Sequence, residues 1–198
     1  MDLNTKNMNE LLNSVSEKIR NNVAGCVQIV SSIKWKKVSF IIPMKPEPSH
    51  RPRLCGYRVY VPGAAKNATF FNNHVLPKLK GLFIDTPCKV KLDIYVETPA
   101  SFTKTQKCLA EMKILRPWGH TGDVDNFEKA VYDMIVRNEN RGRDGILFDD
   151  RLIIEAHTNK YYSITPRYEL SISYMDKDKI PKDLFKTLKF NHLLDSDF

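Results

Sequence analysis

The run from Asn126 to Arg137 constrains this chain more than any other segment. Phe127, Ala130, Val131, Met134 and Ile135 fall at i, i+3, i+4, i+7 and i+8, the stripe of an α-helix with one core-facing side. Ahead of it stand Asp123 and Asp125, two residues apart. Behind it, Gly145-Ile146-Leu147-Phe148 leads to Asp149 and Asp150 at the start of LIIEA, which reads as a strand. Two more segments alternate as half-buried strands. In one, Val90, Leu92, Ile94 and Val96 face one side while Lys91, Asp93 and Tyr95 face the other. In the second, Tyr168, Leu170, Ile172 and Tyr174 alternate with Glu169, Ser171 and Ser173.

The chemistry suggested by this central stretch is that of carboxylates gathered before a helix. Residues two apart on extended chain point the same way, so Asp123 and Asp125 can aim at one point. Asp125 followed by Glu128 also has the form of a capping box, which leaves Asp125 a purely structural alternative. Lys129 lies four residues after Asp125 and shares its side of the helix, either as a surface ion pair or as a cation held over a cleft. A DD pair alone is usually a solvated turn; here it gains weight from the first pair. Hard divalent cations take a few carboxylates and keep several waters, and two such ions can activate water and stabilise a leaving oxygen. Metal-dependent phosphodiester cleavage fits this pattern. A bare DxD also occurs in glycosyltransferases, but this chain is short for one and has no GxGxxG-like loop.

The charge distribution agrees. The chain carries a net charge of +8, and between Lys36 and Lys66 lie seven basic residues and one acidic, Glu47. Such a balance suggests a polyanionic partner. After the strand VSFIIPM, prolines 46, 48, 52 and 62 make the next stretch an extended loop or rigid hairpin. Lys45, Arg51, Arg53, Arg58 and Lys66 are the candidate DNA phosphate contacts, since guanidinium groups donate paired hydrogen bonds to phosphate; a solvated basic loop is the plainer alternative.

The remaining segments frame this centre. Residues 1–24 read as one helix, with Met8, Leu11, Leu12, Val15, Ile19 and Val23 on one face and Asn4 or Thr5 as its cap. A second helix over 65–83 carries Phe71, Val75, Leu79 and Leu82, with Pro77 kinking or shortening it. Residues 99–121 read as a long unpatterned connection with three lysines, Arg116 and Trp118, and Trp35 and Trp118 are expected to pack or stack locally. A short helix is expected from Pro181, with Leu184, Phe185 and Leu188 apolar. The five histidines show no mutual spacing that implies a site. Cys26, Cys55, Cys88 and Cys108 are scattered without a CxxC pair, as expected of reduced, mostly packed thiols. No apolar run reaches the roughly 18 residues of a membrane span, and MDLNTKNMNE is too polar for a secretory signal, so a cytoplasmic protein without membrane contact is expected.

GDVDNFEKAVYDMI followed by GILFDDRLIIEAHTNKYY resembles the RusA family of Holliday junction resolvases, common in bacteria and their phages. The resemblance spans Val38 to Met175. It implies an α/β (α+β) fold, a small mixed β-sheet packed with helices, at 36–176; the helical extension at 1–35 and the charged tail at 177–198 read as additions to it. It further implies a homodimer acting on branched DNA, paired incision of four-way junctions, and magnesium (Mg2+), with manganese (Mn2+) as a substitute. Residue by residue, Asp123, Asp125 and Asp150 match the family's metal-binding carboxylates and Lys129 its catalytic lysine, with Asp149 a supporting ligand or further out. Flaps, forks or other branched DNA stand as alternative substrates, and a non-catalytic DNA-binding protein as a reading from another class. Many relatives have a Lys-Pro-like dipeptide before the first aspartate, where this chain has Thr121-Gly122.

Overall fold

The computed structural model describes residues 3–138 and 143–176. The short helix expected from Pro181 lies outside them. Two compact units are distinguished, one of them Lys36–Tyr174 and the other including the N-terminal helices.

In the N-terminal unit the single expected helix is two, α1 (Leu3–Ser14) and α2 (Glu17–Ser32), separated at Val15-Ser16. Ser16 is extended and precedes α2 as its N-cap residue, the role serine commonly takes. Asn4 and Thr5 lie inside α1 rather than ahead of it. The expected apolar face is largely open: Met8, Leu11, Ile19 and Val23 are all exposed.

The larger unit is built on a four-stranded mixed sheet, in the order β1 (Trp35–Ile42), β6 (Arg167–Met175), β4 (Cys88–Glu97), β5 (Ile153–Ser163). β4 pairs antiparallel with β6 and parallel with β5. A separate hairpin, β2 (Arg53–Cys55) and β3 (Arg58–Tyr60), turns at Gly56, whose φ of 60° suits glycine. α3 (Ala64–His74) ends before a 3-10 turn over Leu76–Leu79 that takes Pro77 in its first positions, so the proline shortens the helix. The long connection contains a helix, α4 (Lys104–Glu111), whose start is a full capping box: Thr103 Oγ1 accepts from Gln106 N at 3.2 Å and Gln106 Oε1 from Thr103 N at 2.9 Å. Its thin apolar pattern hid it; the Thr-x-x-Gln signal was available.

The stripe on α5 (Val124–Ile135) is buried as its spacing demands, with Phe127, Ala130, Val131, Met134 and Ile135 at most 7% exposed. α5 packs on α3 and β5. On the sheet, Val90, Leu92, Ile94, Tyr168, Leu170 and Ile172 form the buried face. Tyr95 and Tyr161, opposite each other on β4 and β5, belong to the other face yet are also buried, under side chains described below. Trp118 does not pack: it is 86% exposed. Of the thiols, Cys88 is buried and its pKa is pushed up to about 11 by that burial, whereas Cys26 is half-buried and Cys108 exposed.

Candidate active site

The first acidic pair is arranged differently from an extended Asp-x-Asp. Asp123 is the extended N-cap residue of α5, with φ −81° and ψ 149°, and its side chain makes no capping hydrogen bond. Asp125 is already in the first helical turn. The capping box expected of Asp125 and Glu128 does not form: Glu128 instead accepts a hydrogen bond from Thr158 Oγ1 on β5. Capping therefore consumes neither carboxylate. Among the described residues, Asp125 and Lys129 make no side-chain hydrogen bond or ion pair, and both are exposed. The surface ion pair offered as the plain reading of Lys129 is thus not made.

The turn that delivers Asp123 is held from two sides. Gly122 has φ 84°, and a Cβ there would stand 3.1 Å from Pro48 Cγ and 3.2 Å from Phe127 Cε2, so only glycine fits easily. On the other side Lys160 Nζ donates to Gly122 O at 2.6 Å and to Thr121 Oγ1 at 3.0 Å. Burial lowers the Lys160 pKa, and the nearby Asp123 carboxylate opposes that shift. Lys160 was missed as a site residue. Nothing local marks it; its position follows from the packing of β5 on α5.

The basic loop is pinned to the same helix. Ser49 N donates to Asn126 O at 2.8 Å, and Tyr168 Oη, buried on β6, accepts from Glu47 N at 3.1 Å. Burial drives the Tyr168 hydroxyl far above its usual pKa. Of the candidate phosphate contacts, Arg51, Arg53 and Lys66 are exposed, Lys45 is ion-paired with Glu97, and Arg58 lies on β3 across from Cys55.

The second acidic pair is tied to the other end of α5. Ile146 N and Leu147 N donate to Ile135 O at 2.9 and 3.1 Å, and Arg137 N donates to Leu147 O at 2.8 Å. Ile84 N donates to Ile146 O at 2.7 Å and Phe148 N to Ile84 O at 3.0 Å. This lacing sets where the Asp149-Asp150 turn begins. Asp149 is occupied there: it accepts from Arg151 Nε at 2.8 Å, Nη2 at 2.7 Å and the backbone N at 2.9 Å. The Arg151 guanidinium holds its pKa down at about 2. Asp150 is exposed, first in the 3-10 turn Asp150–Leu152. Its charge reaches Tyr132, whose hydroxyl is pushed up to about 12, mainly by burial and then by Glu128.

Asp123, Asp125 and Lys129 therefore share the amino-terminal turns of α5, while Asp149 and Asp150 follow the segment laced to its carboxyl end. Among the described residues, no three His, Cys, Asp or Glu side chains are grouped closely enough to cage a metal ion. The donor chemistry still suits a hydrated hard cation. Two exposed carboxylates at one helix end, neither spent on capping, fit an ion that keeps several of its waters.

The α+β domain thus sets exposed carboxylates and an amine at one helix start, beside a pinned basic loop. The chain belongs to the RusA family: the endodeoxyribonuclease RusA family model matches residues 43–173. No curated protein matches the chain. No helix among the described residues is long and apolar enough to cross a membrane.

Proposed function

We propose that the chain is a magnesium-dependent endonuclease that resolves four-way DNA junctions by paired phosphodiester hydrolysis, working as a homodimer. The observation that carries this reading is the pair of exposed carboxylates, Asp123 and Asp125, neither spent on capping, with the exposed Lys129 one turn along α5. Asp123 and Asp125 would hold the ion at the start of α5, and Asp150, beyond the segment laced to the other end of that helix, is the further carboxylate that the family resemblance implies. Asp149, its oxygens paired with Arg151, supports the turn that carries Asp150. When bound, magnesium supplies an activated water and neutralises charge on the leaving oxygen.

The chain's own groups do the rest. Lys129 sets an ammonium against the negative charge that builds on the phosphate in the transition state. Lys160 and Gly122 fix the turn that aims Asp123, sparing the site that reorganisation during reaction. Arg51 and Arg53, in the stretch that follows the Ser49–Asn126 bond, and Lys66 on α3 meet flanking phosphates. Two copies related by a two-fold axis present two such sites to the two strands of a symmetric junction. Asp125→Asn keeps the side-chain shape and removes the charge. It is expected to abolish cleavage while junction affinity, read by gel shift in EDTA, stays within a few-fold of the parent. Near-normal cleavage by Asp125→Asn would remove that residue from the mechanism.

A further inference from the structure

On the sheet face turned away from α5, two cations are held in fixed positions with no carboxylate in ion-pair contact among the described residues. Lys113 follows α4 with φ 62°, a left-handed conformation rare outside glycine. There Lys113 N donates to Ala110 O and Ile114 N to Leu109 O, both at 2.9 Å, closing the helix end as glycine commonly does. A lysine in that place gives up backbone ease, and its side chain is what the chain gains. Lys113 Nζ donates to Tyr95 Oη at 3.1 Å and lies 4.4 Å from the Tyr161 ring centre. The Arg116 guanidinium lies 4.2 Å from the same ring centre, and its Nη1 donates to Lys160 O at 3.3 Å. Beneath them Tyr95 and Tyr161 stack at 5.3 Å between centroids, both less than 10% exposed.

The acidic groups nearby make their hydrogen bonds elsewhere, and Asp93 reaches Lys113 only through its charge. Glu169 takes Arg167 at 2.7 Å, Asp93 accepts from Asn159 at 3.0 Å, and Glu111 accepts from Ile164 N at 2.5 Å. Lys113 and Arg116 make no ion pair among the described residues and both are exposed. Stacking on tyrosine fixes their direction without neutralising them. A guanidinium so held keeps several N–H donors for a phosphate.

We propose that Lys113 and Arg116 form a second DNA contact, separate from the basic loop, that grips the sugar-phosphate backbone of a bound arm. This rests on the nuclease reading. It differs from a stabilising cation–tyrosine contact in having a mechanical link to the site: Arg116 is bonded to the carbonyl of Lys160, whose ammonium holds the Thr121-Gly122 turn. Phosphate engaged at Arg116 is thereby registered against the turn that carries Asp123. The polymer is DNA rather than an acidic peptide because the same unit presents the exposed cations Arg51, Arg53 and Lys66 as further phosphate contacts.

The test uses the full chain, with a synthetic four-way junction in EDTA, and measures affinity across a salt series. Lys113→Gly suits the φ of 62°, so its thermal midpoint is expected to match or exceed the parent's. Its plot of log K against log salt should be shallower by about 0.9, one phosphate contact on duplex DNA. Arg116→Gln should do the same, and the double variant should lose about 1.8. Parent-like slopes in folded variants, or a lower melting point with unchanged binding, would overturn the proposal and leave the nuclease reading standing. Variants that keep the parent's DNA binding but lose capture of an acidic peptide would also overturn it. A parent protein that binds no junction at all would sink both readings.

Discussion

Replacing Gly145 by alanine tests how the second acidic pair is positioned. The added Cβ would stand 2.4 Å from Ile135 O and 2.6 Å from both Arg137 N and Val136 C. All three are backbone atoms, so no side chain can swing aside. Relief requires the 145–148 segment to part from the end of α5, at the expense of three hydrogen bonds: Ile146 N and Leu147 N to Ile135 O, and Arg137 N to Leu147 O. At about 1 kcal/mol net for each bond, the loss is about 3 kcal/mol. Reduced freedom of the unfolded chain returns about 0.4–1 kcal/mol, leaving a net destabilisation of about 2–3 kcal/mol. For a chain of this size that lowers the melting point by about 5–10 °C. Urea denaturation and calorimetry read the stability, and junction cleavage at a temperature where the variant stays folded reads the site. Cleavage should fall too, because Asp150 follows only five residues later. A Gly145→Ala protein within about 0.5 kcal/mol of the parent would refute the close-approach argument.

Two further predictions concern the turns that carry the aspartates. Gly122→Pro should destabilise the chain by about 2 kcal/mol or more, read by thermal denaturation, because proline fixes φ near −65° and Gly122 sits at 84°. For Asp149 the folded-state pKa of about 2 lies below its ordinary value of 3.8, so the Arg151 pairing contributes fully above the upper value. That contribution fades as pH falls from about 4 to about 2. Unfolding free energy measured across this window should drop less steeply in Arg151→Ala than in the parent.

Patterns carried by neighbouring residues were legible in the sequence, and long-range placements were not. The stripe from Phe127 to Ile135 and the alternation of Val90, Leu92, Ile94 and Val96 depend only on helix and strand periods, and both are buried as read. α4 escaped because Leu109 and Ala110 give it little apolar pattern, although its capping box was visible. The role offered for Asp125 as a cap failed because the helix begins one residue after Asp123, and helix starts are fixed by tertiary contacts such as Ser49 N to Asn126 O. Lys160 and the Tyr95–Tyr161 platform arise from β4 and β5 pairing in parallel across more than sixty residues of chain, which no local motif encodes. The exposed Trp118 breaks the expectation that tryptophans pack.

The proposed cleavage of branched DNA depends on a metal held at the start of α5. Its most direct test is incision of a labelled synthetic four-way junction with magnesium, beside a linear duplex of matched sequence. Paired nicks near the branch point, absent from the duplex and abolished by EDTA, are the expected result. Junction binding without incision at any magnesium or manganese concentration would rule out that cleavage.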